Sequence, residues 1–504
     1  MADPGLRRRA VASALLASLL TGPPVTHAQT PNAEINALRK EVEELRRRDA
    51  ERQRQLEALQ RRLEELDAAH ATVPATPGTT AAPIAAPAAA QPQTPRADAQ
   101  RALDEAVQQL GDQPPPAAPA DLFSRQIGGA RLRLMDLSFD LLTAAGSSTA
   151  TDSELEDLEG GAHDPTRRGF TLQNAELALS GAVDPYFSGQ AYVLFSEEHV
   201  ELEEAFMLTS ALPYGLQAKG GYFLTEFGQI NPSHPHTWDW IDQPVINTRM
   251  FGGEGLRSAG ARLSWLTPLP WFSEVVFGLQ NAESGETTTS FISPDAVGGR
   301  PTVPRDVANL EDLLYLARWS NFTDITDSVG VKLGVSGLYG PNSSGSSADT
   351  WVYGSDLKLR WRPADNFRGW PFFLWQSEVM KRDYTADAVV AGPNQAPAVA
   401  LPRAILRDYG FYTQALYGFR YGWAAGVRYE FATGNGDSVG GRSADPYRDA
   451  RHRVSPLLVW HPSEYSRFRL QYNYDNATHL PDKDANSVWV GAEILYGAHP
   501  AHAY

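Results

Sequence analysis

Residues 487–496 read SVWVGAEILY, and their spacing decides the fold. Val488, Val490, Ala492, Ile494 and Tyr496 share one parity, while Ser487, Trp489, Gly491 and Glu493 share the other. A two-residue period belongs to a β-strand with one apolar face. The final residue, Tyr504, keeps the parity of the apolar set. A terminal strand of this kind closes a sheet against its first strand. A closed barrel is the only β-structure that satisfies its backbone in lipid.

The same alternation recurs upstream. Phe468, Leu470, Tyr472 and Tyr474 alternate with Arg467, Arg469, Gln471, Asn473 and Asp475. Leu357, Leu359 and Trp361 alternate with Asp356, Lys358, Arg360 and Arg362, and Val427, Tyr429 and Phe431 with Arg428 and Glu430. Val329, Val331, Leu333 and Val335 alternate with Ser328, Gly330, Lys332 and Gly334. A soluble sandwich puts charge outside and buries its apolar faces in a shared core. A membrane barrel inverts this, with charge toward the lumen and aromatics toward lipid.

Sixteen stretches fit the pattern: 130–142, 168–180, 187–197, 200–211, 216–226, 257–266, 271–281, 312–321, 327–340, 351–362, 372–382, 408–418, 422–432, 453–461, 466–475 and 487–497. Bacterial single-chain barrels have an even number of strands, with short turns at one end and long loops at the other. Short connections such as 183–186, 212–215, 267–270 and 462–465 alternate here with the long stretches 143–167, 227–256, 282–311, 383–407 and 433–452. Only the connection at Glu198 is short where a long one is due. The fold expected is an all-β, 16-stranded antiparallel transmembrane barrel over residues 122–504.

Three segments precede it. Arg7, Arg8 and Arg9 lead into an apolar run from Ala10 to Leu20, and Thr26-His27-Ala28 offers a cleavage site, so residues 1–28 read as a signal peptide. The alternative, a membrane anchor, needs about 20 apolar residues, roughly twice the run. Over 31–70, Ile35, Leu38, Val42, Leu45, Leu56, Leu59, Leu63 and Leu66 occupy heptad core positions, with Asp49 and Arg52 as polar core residues that favour register over stability. This predicts an oligomeric α-helical coiled coil. Residues 71–121, rich in Ala, Pro, Thr and Gln, read as a periplasmic spacer.

The net charge of −16 argues against nucleic acid as a partner, because a phosphate backbone calls for a basic face. With no cysteine there is neither a disulfide framework nor a thiolate metal site. Nothing calls for a cofactor. No Ser/His pair has a spacing that suggests a catalytic triad, and no glycine-rich phosphate loop is present, so an enzyme is not expected. An energy-coupled transporter would need a 22-stranded barrel and a plug, more chain than follows the spacer.

Gly181-Ala182-Val183-Asp184-Pro185-Tyr186, the acidic stretch Val200 to Ala205, Gly221 to Gly228 with Asn231 and His234, and Gly497-Ala498-His499 resemble the outer-membrane porins related to the phosphate-selective porins O and P. The subgroup resembled carries a periplasmic coiled coil ahead of the barrel. The resemblance implies a homotrimer embedded in outer-membrane lipid, each barrel with its own pore, and the N-terminal region in the periplasm, where the coiled coil has scope for further contacts. Phosphate selectivity in that family rests on lysines and an arginine ladder. Here Lys is sparse after position 121 and acidic residues outnumber basic ones.

In such porins the third outer loop folds inward and narrows the channel. By the strand count, that loop is 227–256, so His234, His236, Trp238, Asp239, Trp240, Asp242 and Arg249 are the candidate constriction. The alternative is a surface loop whose tryptophans sit at the membrane interface. By parity, Lys358, Arg360, Arg362, Arg428, Glu430, Arg467 and Arg469 face the lumen, setting a transverse field or balancing charge. His234 and His236 also invite zinc, but a His-x-His pair without a third ligand at a defined spacing is a weak signal, so no metal site is assigned. The expected function is a passive diffusion channel for small hydrophilic or anionic solutes. The alternative is a structural or adhesin-type barrel, or a receptor linked to zinc uptake.

Overall fold

A computed structural model of the protein describes residues 135–497 apart from 198, 284–288, 295–296, 390–399 and 436–444, together with the backbone of 124–127 and 130–133. The expected signal peptide, coiled coil and spacer, and the last residues through Tyr504, lie outside the described residues. A small hairpin of β1 (Ser124–Ile127) and β2 (Ala130–Arg133) precedes the barrel.

The barrel strands are β3 (Asp136–Ser148), β4 (Gly169–Ala182), β5 (Phe187–Phe195), β6 (Val200–Thr209), β7 (Leu216–Leu224), β8 (Arg257–Leu266), β9 (Phe272–Asn281), β10 (Leu313–Thr326), β11 (Val329–Pro341), β12 (Asp349–Trp361), β13 (Phe372–Ala386), β14 (Ala404–Arg420), β15 (Trp423–Asn435), β16 (Arg451–Ser463), β17 (Ser466–Ala477) and β18 (Asp484–Gly497). Each pairs antiparallel with its sequence neighbours, and β18 closes the ring on β3 through pairs such as Val488 with Ser147 and Val490 with Ala145. Closure leaves no edge, so every strand finds its backbone partners inside the sheet.

The first barrel strand differs from the expected 130–142. Residues 130–133 pair with 124–127, and the strand that meets β18 runs from Asp136 to Ser148, six residues later than expected. Its far half, Thr143-Ala144-Ala145-Gly146-Ser147-Ser148, carries too little side chain to show an alternation.

Parity sets the two faces. On β17, Phe468, Leu470, Tyr472 and Tyr474 are exposed around the outside, whereas Arg469, Gln471, Asn473 and Asp475 are buried within. On β18, Val488, Val490, Ile494 and Tyr496 point out, and Ser487, Trp489 and Glu493 point in. An apolar belt outside and polar groups inside is the arrangement that lipid demands.

The interior departs from a simple aqueous lumen. The connection 225–256 between β7 and β8 carries α2 (Val245–Phe251), all seven residues of which are buried; the shorter α1 (Asp152–Glu156) lies in the connection between β3 and β4. Phe227, Ile230, Trp238, Val245, Ile246, Met250 and Phe251 of the connection form one apolar cluster with Val276, Leu316, Leu338, Val352, Met380 and Tyr412 of the wall. Part of the barrel is therefore a packed core. Two glycines permit the approach: Gly228 has φ +65°, where a Cβ would also run into Glu378, and a Cβ on Gly354 would meet the Phe227 ring at 2.7 Å.

Candidate functional site

The inserted connection is held to the wall by buried charge. Arg428 of β15 donates to the Asp242 backbone carbonyl at 2.9 Å and also to its carboxylate. Arg453 of β16 reaches the same carboxylate at 3.2 Å, and the amides of Gln471 and Asn473 on β17 each donate to it at 2.8 Å. Burial works to raise the Asp242 carboxyl, but the two guanidinium groups hold it down at about 2. Glu430 accepts from the Val245 amide at 2.7 Å and from Arg428 Nε at 2.7 Å.

Nearer the start of the connection, Arg469 donates to the carbonyls of Trp238 at 3.2 Å and Trp240 at 3.0 Å. Arg467 donates to the His236 carbonyl at 2.8 Å and pairs with Glu493. Trp240 lies fully buried beside Leu416, Ala424, Leu457 and Val459, its indole N–H donating to the Ser455 carbonyl at 2.9 Å. Trp238 joins the main apolar cluster. Neither tryptophan faces the membrane interface. Arg249 pairs with Glu159 of the connection between β3 and β4 at 2.6 Å. Asp239 stays half-buried; burial pushes its carboxyl up while Lys358, Arg467 and Arg469 pull it down.

Arg428, Glu430, Arg467 and Arg469 thus face inward but bind the connection, which packs against β14–β18. Lys358 and Arg360 sit differently. With Lys219, Arg318 and Lys332 they border a cavity of about 560 Å³. Glu204, Glu226 and Glu274 border it too, as does His234. The lining comes from β5–β7, from β9–β12 and from the first residues of the inserted connection. Many of the wall groups, among them Glu274, Lys332, Lys358 and Arg360, stand near the short-turn ends of their strands, so the cavity occupies the lumen on that side of the connection. The fixed pairs Arg318 with Asp356, at 2.7 Å, and Lys219 with Glu226, at 2.7 Å, stiffen its border. Arg362 is not among its lining residues and leads from β12 into the short turn.

His234 and His236 lie against β3, β4 and β6, where Asp140, Glu176, Glu203 and Glu204 face them. Sequence reasoning did not assign these four carboxylates to the site, although Glu203 and Glu204 lie in the acidic stretch Val200 to Ala205. Glu203 and Glu204 are adjacent in sequence and yet both buried, because β6 carries a bulge: Tyr192 pairs with Glu204 while Val193 pairs with Leu202, leaving Glu203 as the extra residue. Strict parity would send one of them outward, and a bulge beside a site re-aims its side chains.

No family model matches the chain. An uncharacterized protein of Aquifex aeolicus (strain VF5) is 29% identical over 398 residues, spanning 74% of this chain and 80% of that protein. Among solved structures, the chain is similar to the outer membrane channel DcaP of Acinetobacter baumannii, with a TM-score of 0.47 and 12% identity over 72% of this chain and 97% of that one. It is also similar to the anion-selective porin from Comamonas acidovorans, with a TM-score of 0.44 and 8% identity over 72% of this chain and 99% of that one.

Proposed function

We propose that the chain is an outer-membrane porin, a passive diffusion channel for small polar or anionic solutes whose lumen is narrowed by the connection 225–256. The observation that carries this is a closed barrel, apolar around its outside, enclosing a charged cavity beside an inserted loop. Lys332, Lys358 and Arg360 on one flank favour an anionic group, while Glu204, Glu226 and Glu274 oppose a purely anionic path. The expected selectivity is a weak net preference. The assembly we infer is a homotrimer, with the coiled coil helping to fix its stoichiometry from the periplasm.

Planar-bilayer recording of the purified protein tests the channel. A deletion of 233–240 should raise conductance and shift the reversal potential in a salt gradient toward anions, since it removes both bulk and Asp239. Absence of any conductance in both forms would favour a structural barrel, a reading to which the packed interior lends some weight. Crosslinking of the native protein reads the trimer, and a monomeric band would overturn it.

A further inference from the structure

The histidine pair that lacks a third ligand in sequence acquires one in space. His234 Nδ1 lies 3.0 Å from Glu176 Oε2 and 3.1 Å from Glu203 Oε2. One ligand atom from each of the three residues falls within 4.8 Å of the others. Metal–ligand bonds of about 2.0–2.2 Å place tetrahedral ligand atoms roughly 3.3 Å apart, close to the two distances from Nδ1. On the far side of the ring, Nε2 stands 2.8 Å from Glu204 Oε2. With the proton on Nε2 donated to that carboxylate, Nδ1 presents its lone pair to Glu176 and Glu203. A carboxylate fixing the tautomer of a ligating imidazole is the usual outer support of a metal site.

A second observation points the same way. Asp140 is 3% exposed, and neither of its carboxylate oxygens has a hydrogen-bond partner; nor does the buried Nδ1 of His236. That nitrogen lies 3.9 Å from Asp140 Oδ2 and 3.7 Å from Glu176 Oε1. Four buried carboxylates thus surround two imidazoles, with Arg257 Nη1 reaching Glu203 Oε1 at 3.8 Å. A buried carboxylate without a partner is costly, and a dication held by the neighbouring Glu176, Glu203 and His234 offsets the excess negative charge of the cluster. His234 and Glu204 also line the cavity, so one edge of the cluster borders it.

We propose that Glu176, Glu203 and His234 bind a first-row divalent cation of the Zn²⁺ type, with His236 Nδ1 as the nearest further donor, tying the inserted connection to β4 and β6. Two carboxylates with imidazole favour such an ion over Mg²⁺ or Ca²⁺, which prefer all-oxygen shells. The site does not depend on the barrel conducting.

The test is Zn²⁺ titration of the full chain in detergent after chelation, with binding read by calorimetry. Wild type should take one Zn²⁺ per chain that excess Mg²⁺ does not displace. Glu204→Gln should weaken binding by about 10–100-fold, His234→Ala should abolish it, and His452→Ala should leave it unchanged. Should Glu176→Gln or His234→Ala fail to assemble, Glu203→Gln and the wild type alone still decide: Zn²⁺ should slow protease cleavage within 225–256. Equal binding by wild type and a folded His234→Ala, or no binding and no protection in wild type, overturns the site.

Discussion

Arg428 of β15 grips Asp242 of the inserted connection twice, through the backbone carbonyl and through the carboxylate, in a region where both side chains are buried. Arg453 shares the carboxylate, so removing it takes one partner from each of two buried guanidinium groups, while Arg428 keeps Glu430 and Arg453 keeps Asp475 at 2.8 Å. Breaking a buried pair from one side costs about 3–5 kcal/mol when the charge is left uncompensated, and these remaining pairs reduce that cost. The barrel ladder does not pass through Asp242, and the loss should fall on the connection. Asp242→Ala should keep heat-modifiable mobility on gels while making 225–256 sensitive to protease. A connection as resistant as in wild type would show that this clamp is not what holds it.

Leu470 and Gln471 are neighbours on β17 with opposite fates. Leu470 is 48% exposed on the outer face, where an Arg near the bilayer midplane costs about 2–4 kcal/mol. Leu470→Arg should therefore reduce assembly into vesicles. Parity alone would make Gln471→Arg harmless, as a lumen substitution. Its side chain is instead fully buried, accepting from the Ile241 amide at 2.8 Å and donating to Asp242 at 2.8 Å. Gln471→Arg should assemble but loosen the connection, seen as protease cleavage. Normal protection would mean that the interior at this level has room to spare.

The contrast between these positions marks what sequence could tell. Strand number and facing were legible because a period of two persists through β10–β18, where bulky apolar residues alternate with charged ones. The start of the barrel was not, since Ala144, Ala145 and Gly146 bear no pattern. Residues 227–256 could be singled out by length and composition. That Arg428, Arg467 and Arg469 bind it, while Lys358 and Arg360 line the cavity, depends on where the loop lies around the ring, and period carries no such information. The acidic cluster around His234 was hidden by the bulge at Glu203, which shifts the parity of β6 by one.

His163 and Glu254 join two connections at the long-loop end, 3.6 Å apart. Burial alone would lower the His163 pKa, but the Glu254 carboxylate outweighs it and raises the value from 6.5 to about 9. A histidine raised on folding contributes stability in full below its unfolded pKa and loses it as pH climbs through the folded one. Asp164, pushed up to about 7 by burial and by Asp242, titrates in the lower part of that range. Between about pH 7 and 9, hydrogen-exchange protection of 149–168 and 225–256 should fall in wild type. In His163→Gln only the part near pH 7 that belongs to Asp164 should remain, and parallel profiles for the two proteins up to about pH 9 would exclude the pair as the cause.

Selectivity is the property that the cavity should control if the barrel conducts as proposed. Lys358 and Arg360 are consecutive inward residues of β12, both half-buried beside the cavity. Asp356, the next inward residue along, is already occupied by Arg318 at 2.7 Å. Reversing Lys358 and Arg360 removes two positive charges from one flank and adds two negative ones opposite Glu204, Glu226 and Glu274. Charges at a narrow, low-dielectric passage act on passing ions far more than those on an open surface. Lys358→Glu with Arg360→Glu should therefore turn a weak preference into a clear cation preference, read as a change in reversal potential, and high salt should blunt the effect. The analogous reversal of Arg467 should instead disturb the loop, because that guanidinium is already held by Glu493 and the His236 carbonyl. A reversal potential that does not move in the β12 variant would place the conducting path elsewhere than along this cavity.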